Sequence, residues 1–255
     1  MRNILKMGIF ALTLIILSSC KKETPDPTPA APASTDNVAL KISHSWTGAS
    51  TFGLNTDYVH PVTGDALNFT MLKYYISNIR LKKADGTWWI QPDSYFLLNL
   101  ENGSAAEINI PKVPYGEYTD IEYVLGVDSL RNVSGAQAGA LSTSNGMFWS
   151  WNSGYIMLKA EGTSPNSTSN AFSFHLGGFA GANSVVTKRS HNFVGNSLSV
   201  SGNGNCQIQL SAKPENLWLT SPSVSTVSTT HMPGAGAKAM ALNFYNSFEF
   251  EEINE

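Results

Sequence analysis

The sequence predicts an all-β fold, an antiparallel β-sandwich of roughly eight to ten strands with long loops and at most short helices. Three observations carry that expectation. Apolar and polar residues alternate through a series of short segments, and clusters of Gly, Asn, Asp and Pro separate those segments. Charge is thin as well: charged residues are 14% of the chain, against roughly 25% in an average soluble protein. At 255 residues with 42% hydrophobic side chains, one sizeable core is within reach. The formal net charge of −3 offers none of the basic footprint that nucleic acid requires.

The first segment is a leader rather than a strand. Arg2 and Lys6 make a positive end, and Ile9 to Leu17 is an apolar run too short to span a bilayer. Leu17-Ser-Ser-Cys20 then resembles a bacterial lipobox, so residues 1–19 read as a lipoprotein signal peptide and Cys20 as the lipidated first residue of the mature chain. More than one acyl chain on that residue gives the stable attachment that a single chain does not. Residues 20–36 form a tether, with prolines at 25, 27, 29 and 32 favouring extended polyproline geometry. The expected home is the cell envelope, at the outer membrane, on its periplasmic or its surface face.

The β domain is expected over 37–255. Val38, Leu40, Ile42, His44 and Trp46 share one face of the opening strand, so His44 points with the apolar side chains and needs partners for both ring nitrogens. Leu54 to Leu67 is a loop in which His60, ahead of Pro61 and among polar residues, reads as a surface side chain. Asn68 to Leu81 is β-rich, and Asp85-Gly86 makes a hairpin turn before Trp88-Trp89-Ile90. Ser94 to Leu100, Ala106 to Tyr118 and Asp120 to Val127 supply further strands. Alternation stops from Asp128 to Asn145, where Ala136 to Leu141 could form a short helix weakened by Gly139.

Next comes Gly146-Met-Phe-Trp-Ser-Trp-Asn-Ser-Gly-Tyr-Ile-Met-Leu-Lys-Ala-Glu-Gly162. It places Trp149 and Trp151 before a Gly break and a strand. On the following strand, Phe172 to Gly178, Ser173 and His175 share the face opposite Phe172, Phe174 and Leu176. Cys206 alternates with Ile208 and Leu210 and reads as a core thiol; as the sole cysteine after Cys20 it leaves the mature domain no intrachain disulfide. Ala235 to Phe250 reads as helical.

No Gly-x-Ser-x-Gly, phosphate loop or His-Glu-x-x-His is present, and no carboxylates pair as acid and base. The chain is expected not to be an enzyme. His44 and His175, each on a rigid strand, suit an ion that prefers nitrogen, such as copper or zinc, rather than calcium with its oxygen cage.

Gly146 to Ile156, Lys159-Ala-Glu-Gly162, Phe174-His-Leu-Gly177, Leu72 to Ile79 and Val124 to Arg131 resemble the MbnP-like family of bacterial copper-binding proteins. The resemblance implies a periplasmic or surface-exposed β-rich protein. In some members it implies one copper held by histidines and by a tryptophan that a di-haem peroxidase-like partner has oxidised to kynurenine. Carried onto this chain, it points to His175 first, then to His44, with His231 beside Met232 as an extra donor. The modifiable indole, in the ligand set or beside it, would be Trp149 or Trp151. Two departures stand out: the additional cysteines of methanotroph-type members are missing, and Asp128, not a histidine, follows Gly126-Val127. The leading expectation is therefore a lipid-anchored extracytoplasmic protein that captures or stores copper. Its rival is a metal-free adhesion or glycan-binding sandwich lipoprotein using Trp88, Trp89 and Trp218 against sugar rings.

Overall fold

The computed structural model describes residues 33–103, 105–135, 137–149, 154–219 and 223–255. The leader, Cys20, most of the tether and Trp151 lie outside the described residues. The elements run β1 (Thr35–His44), β2 (Asp57–Val59), β3 (Ala66–Lys83), β4 (Trp88–Ile90), β5 (Tyr95–Asn99), β6 (Ala105–Pro114) and β7 (Gly116–Leu125). A short helix α1 (Ser129–Asn132) follows, then β8 (Phe148–Trp149), β9 (Gly154–Thr163), β10 (Ala171–Gly177), β11 (Thr187–Asn192), β12 (Leu198–Val200) and β13 (Gln207–Ala212). Last come β14 (Thr229–Thr230), helix α2 (Ala235–Tyr245) and β15 (Glu249–Asn254).

The strands form two sheets. The smaller has the order β15-β13-β1-β6, and the larger is built on β11-β7-β3-β9-β10-β14 with the remaining strands attached to its members. The all-β expectation holds, but the sheets are mixed. β13 runs parallel to β1, and β14 parallel to β10. A parallel pair needs a long crossover between its strands; here most of the domain lies between β1 and β13. Strands also outnumber the expected eight to ten, because runs of two or three residues such as β2, β8 and β14 are too short for alternation to reveal.

Alternation makes the core. On β1, Val38, Leu40 and Ile42 are fully buried while Lys41 and Ser43 face outward. Fully buried Phe69, Phe174 and Trp218 and nearly buried Phe172 pack edge to face at 5.0–5.9 Å between ring centroids, a geometry that adds to their area burial. Trp218, expected as an exposed sugar platform, is 1% exposed within this cluster. Trp88 and Trp89 are partly exposed, and the Arg80 guanidinium covers Trp88 at 4.4 Å.

The 129–141 region differs from expectation. The helical turn is α1, capped by the Asp128 carboxylate accepting from Arg131 N, whereas 139–141 forms only a 3-10 turn. At the far end, α2 buries Ala237, Met240, Ala241, Phe244 and Tyr245, a helical stripe. The helix stops at Tyr245, and residues 249–254 pair with β13 as a strand instead. Cys206 is buried as a free thiol, as its alternation predicts. Among the described residues no helix is long and apolar enough to cross a membrane.

Candidate metal centre

β9 and β10 form an antiparallel pair whose register sets Glu161 opposite Ser173 and Lys159 opposite His175. Along β10, Phe172, Phe174 and Leu176 are buried, whereas Ser173 and His175 are half-buried on the other face, as the alternation requires. β14 adds itself parallel to β10, pairing Thr229 with Ser173 and Thr230 with Phe174, and so delivers His231 beside His175. Pro233 packs against Gly178 in the same connection: a Cβ at Gly178 would lie 3.2 Å from Pro233 Cβ and 2.9 Å from the Asn183 carbonyl oxygen.

The two imidazoles stack, with centroids 4.0 Å apart and planes at 17°. Their Nε2 atoms converge on one hydroxyl, Ser173 Oγ, at 2.8 Å from His231 and 3.4 Å from His175. His175 Nε2 also lies 2.6 Å from Glu161 Oε1, to which Lys159 Nζ makes an ion pair at 3.4 Å. Burial lowers the His175 pKa, the Glu161 bond opposes this, and the charges at His231 and Lys159 lower it further. Burial pushes the Glu161 carboxyl upward, but the hydrogen bond from His175 and the charge of Lys159 outweigh it and hold the group below its ordinary value. His175 is therefore neutral at neutral pH, with its Nε2–H donating to an ionised Glu161. A metal taking that nitrogen must displace the proton.

Trp149 reaches this strand from β8, which pairs with the start of β9. The indole is 5% exposed and lies against Gly177, where a Cβ would be 2.6 Å from Cζ3 and 2.7 Å from Cη2. Only a glycine at 177 leaves room for that ring two residues beyond His175.

His44 belongs elsewhere. It is 1% exposed, and its Nε2 lies 3.0 Å from the Tyr74 hydroxyl. Tyr74 pairs with Leu158, and Leu158 with Leu176, so this row faces the interior; the next row, Lys73, Lys159 and His175, faces outward. His44 and His175 thus approach the larger sheet from opposite faces, and the sheet stands between them. The expected pairing of those two on a single ion is corrected: the partner that the fold provides for His175 is His231. Replacing His44 by alanine is expected to cost about 2–4 kcal/mol, from the cavity and the stranded Tyr74 hydroxyl, with copper affinity unchanged. Urea unfolding and a copper titration on one sample check both.

The other histidines are structural. His60 is 2% exposed rather than at the surface. Its Nδ1 accepts from Val62 N and Thr63 N, and its Nε2–H donates to the Glu215 carbonyl at 2.9 Å, so the proline turn wraps the ring it was expected to expose. His191 Nε2 lies 3.0 Å from the Tyr123 hydroxyl. Burial, aided by the nearby Arg189 charge, pushes the His191 pKa down to about 4. That is below the ordinary histidine value, so on acidification the unfolded chain takes up the proton first. Stability is then present above pH about 6.5 and lost as pH falls toward about 4. The urea midpoint of the wild type is expected to drop over this range, and His191→Gln to drop less; equal slopes in the two proteins would contradict the assignment.

Among the described residues no three His, Cys, Asp or Glu side chains form a ready metal cage. The donor set is an open pair of imidazoles with a carboxylate at one side. It fits a nitrogen-preferring ion once the His175 proton moves to Nδ1 and the exposed His231 ring tilts out of its stack.

A family model described as MbnP matches residues 35–234, which include His175, His231 and Trp149. Among solved structures, MbnP from Methylosinus trichosporium is similar in fold, with a TM-score of 0.50 and 14% identity, covering 80% of this chain and 83% of that one. No curated protein matches the chain.

Proposed function

The chain belongs to the MbnP family, and from that premise we propose that it is a lipid-anchored, extracytoplasmic copper-binding protein, non-enzymatic, that captures or stores copper at His175 and His231. The observation that carries this reading is the convergence of two imidazole Nε2 atoms on Ser173 Oγ at 2.8 and 3.4 Å. Neutral imidazole is a favoured copper donor, and the lowered pKa of His175 keeps its ring neutral at neutral pH. Met232, 65% exposed next to His231, offers a soft sulfur suited to Cu(I).

Two imidazoles leave the coordination sphere incomplete. Oxidation of Trp149 or Trp151 to kynurenine by a di-haem peroxidase-like partner would add a ring amine and a ketone, donors that indole lacks. The Trp149 indole against Gly177 supports its candidacy, and Trp151 competes for the role. Cys20 would carry the lipid that holds the domain to the envelope membrane through the tether, and copper would be cargo rather than a catalytic group.

Titration of the chain with Cu(I) and Cu(II) against a competing chelator tests the reading, with intact-mass analysis of protein from its native host. One tight copper per chain is expected. A mass showing a carbon exchanged for an oxygen would mark the kynurenine. Affinity no better than that of free imidazole would overturn the assignment. The glycan-binding alternative keeps the partly exposed Trp88 and Trp89 but loses Trp218, which is 1% exposed.

A further inference from the structure

The histidine pair stands at the end of a row of cations. The register sets Lys73 on β3 opposite Lys159 on β9, and Lys159 opposite His175 on β10. Both lysine side chains are largely covered, with exposures of 15% and 16%. Like charges facing each other across neighbouring strands destabilise a sheet, and ordering a long side chain costs rotamer freedom. Two lysines in line beside a cation site are therefore an arrangement that sheet stability alone does not favour.

Each lysine has one carboxylate. Lys73 Nζ lies 3.6 Å from Glu101 Oε1, and Lys159 Nζ lies 3.4 Å from Glu161 Oε1. The same Glu161 oxygen meets His175 Nε2 at 2.6 Å. One oxygen is thus shared between an ammonium and the nitrogen that a metal would take. Glu161 attracts an ion bound there, and Lys159 opposes that attraction from the far side of the same oxygen.

This opposition discriminates by charge. The energy between a fixed charge and a bound ion scales with the charge of the ion, so the ammonium disfavours a dication twice as strongly as a monocation. Imidazole nitrogen suits copper and zinc alike, which leaves the choice between them to the surroundings. Salt screens a covered charge less than an exposed one.

Resting on the copper reading, we propose that Lys159 is a specificity-determining residue: its ammonium, held by Glu161 beside His175, biases the histidine pair toward a monovalent ion, Cu(I), over Cu(II) and zinc(II). It acts through its charge and ligates nothing. Lys73, one strand farther away, adds a smaller part.

The test compares wild type, Lys159→Met, Lys159→Arg and Lys73→Met in the full chain. Each is titrated with Cu(I) under anaerobic conditions and with zinc(II), against competing chelators, and voltammetry reads the potential of the bound copper. Lys159→Met keeps the aliphatic stem. It is expected to tighten zinc(II) about tenfold more than Cu(I) and to lower the potential by about 59 mV, the one-electron equivalent of tenfold. Lys159→Arg should hold the wild-type ratio and potential, and Lys73→Met should move both the same way by less. A Lys159→Met protein that binds copper with the wild-type ratio and potential would overturn the inference and leave the copper reading standing. A shift as large in Lys159→Arg would overturn it too, because packing rather than charge would then be the cause. Where Lys159→Met fails to fold, an unmoved ratio in Lys73→Met counts against the inference in the same way. Wild type that binds neither ion would overturn the copper reading and this inference with it.

Discussion

Alanine at both His175 and His231 is expected to lower copper affinity by at least about 100-fold, since even outer-shell partners of metal ligands cost 10–100-fold. The domain should stay folded. His175 has a side-chain exposure of 18%, and His231 is exposed on the outer face of the larger sheet, so neither holds the interior together. Single variants should separate the two roles. His231→Ala leaves His175 bonded to Glu161 and is expected to retain weak binding; His175→Ala removes the nitrogen that the strand holds in place and is expected to lose more. Glu161→Gln probes the neighbour. It removes the carboxylate that holds the His175 proton on Nε2 and is expected to change copper affinity by less than either alanine does, as competition with a chelator would show. A double variant that binds copper as the wild type does would move the site off β10.

Gly162→Ala carries the largest expected effect on stability, about 3 kcal/mol or more. Gly162 lies on β9 between Phe69 on β3 and Phe172 on β10. A Cβ there would overlap the Asn68 carbonyl oxygen and the Phe172 ring. Neither can yield cheaply. One is sheet backbone, and the other is a 2% exposed ring packed on Phe69 and Trp218 at 5.0 and 5.5 Å. The entropy gained by replacing glycine, about 0.4–1 kcal/mol, does not offset such an overlap. Gly236→Ala is the matched control: it is exposed in α2 with nothing within 4 Å of its Cβ position, and should stabilise by up to about 1 kcal/mol. Urea midpoints moving in opposite directions are the expected result. A Gly162→Ala protein as stable as the wild type would mean that β3 and β10 approach β9 less closely than described.

How far the site was legible in the sequence depends on where each residue sits. His175 was legible because its strand alternates cleanly: Ser173 and His175 against Phe172, Phe174 and Leu176 is a two-residue period that survives in the sheet. His44 was legible as buried for the same reason, and that burial is what separates it from His175. Its role as a shared ligand failed because periodicity states which way a side chain points relative to its own strand, not which side of another sheet it meets. His231 was visible as a candidate only through the family resemblance. The strand that delivers it is two residues long, and Ser173, whose hydroxyl it meets, stands 58 positions away on β10. Glu161 was missed as a neighbour altogether. The signal was present in Lys159-Ala-Glu161 and Ser173-Phe-His175, which face each other once the hairpin register is set.

By itself the sequence determined the class of the fold, the inward and outward faces of its longer strands, the burial of Cys206 and the family, because alternation and motif spacing are properties of neighbouring residues. Only the tertiary structure decided that β13 and β14 run parallel to their partners, that His60 and Trp218 are enclosed, and that His175 meets His231 instead of His44. Those outcomes rest on contacts between segments far apart in the chain. Their free energy comes from burying faces against each other, and no local pattern records which faces those are.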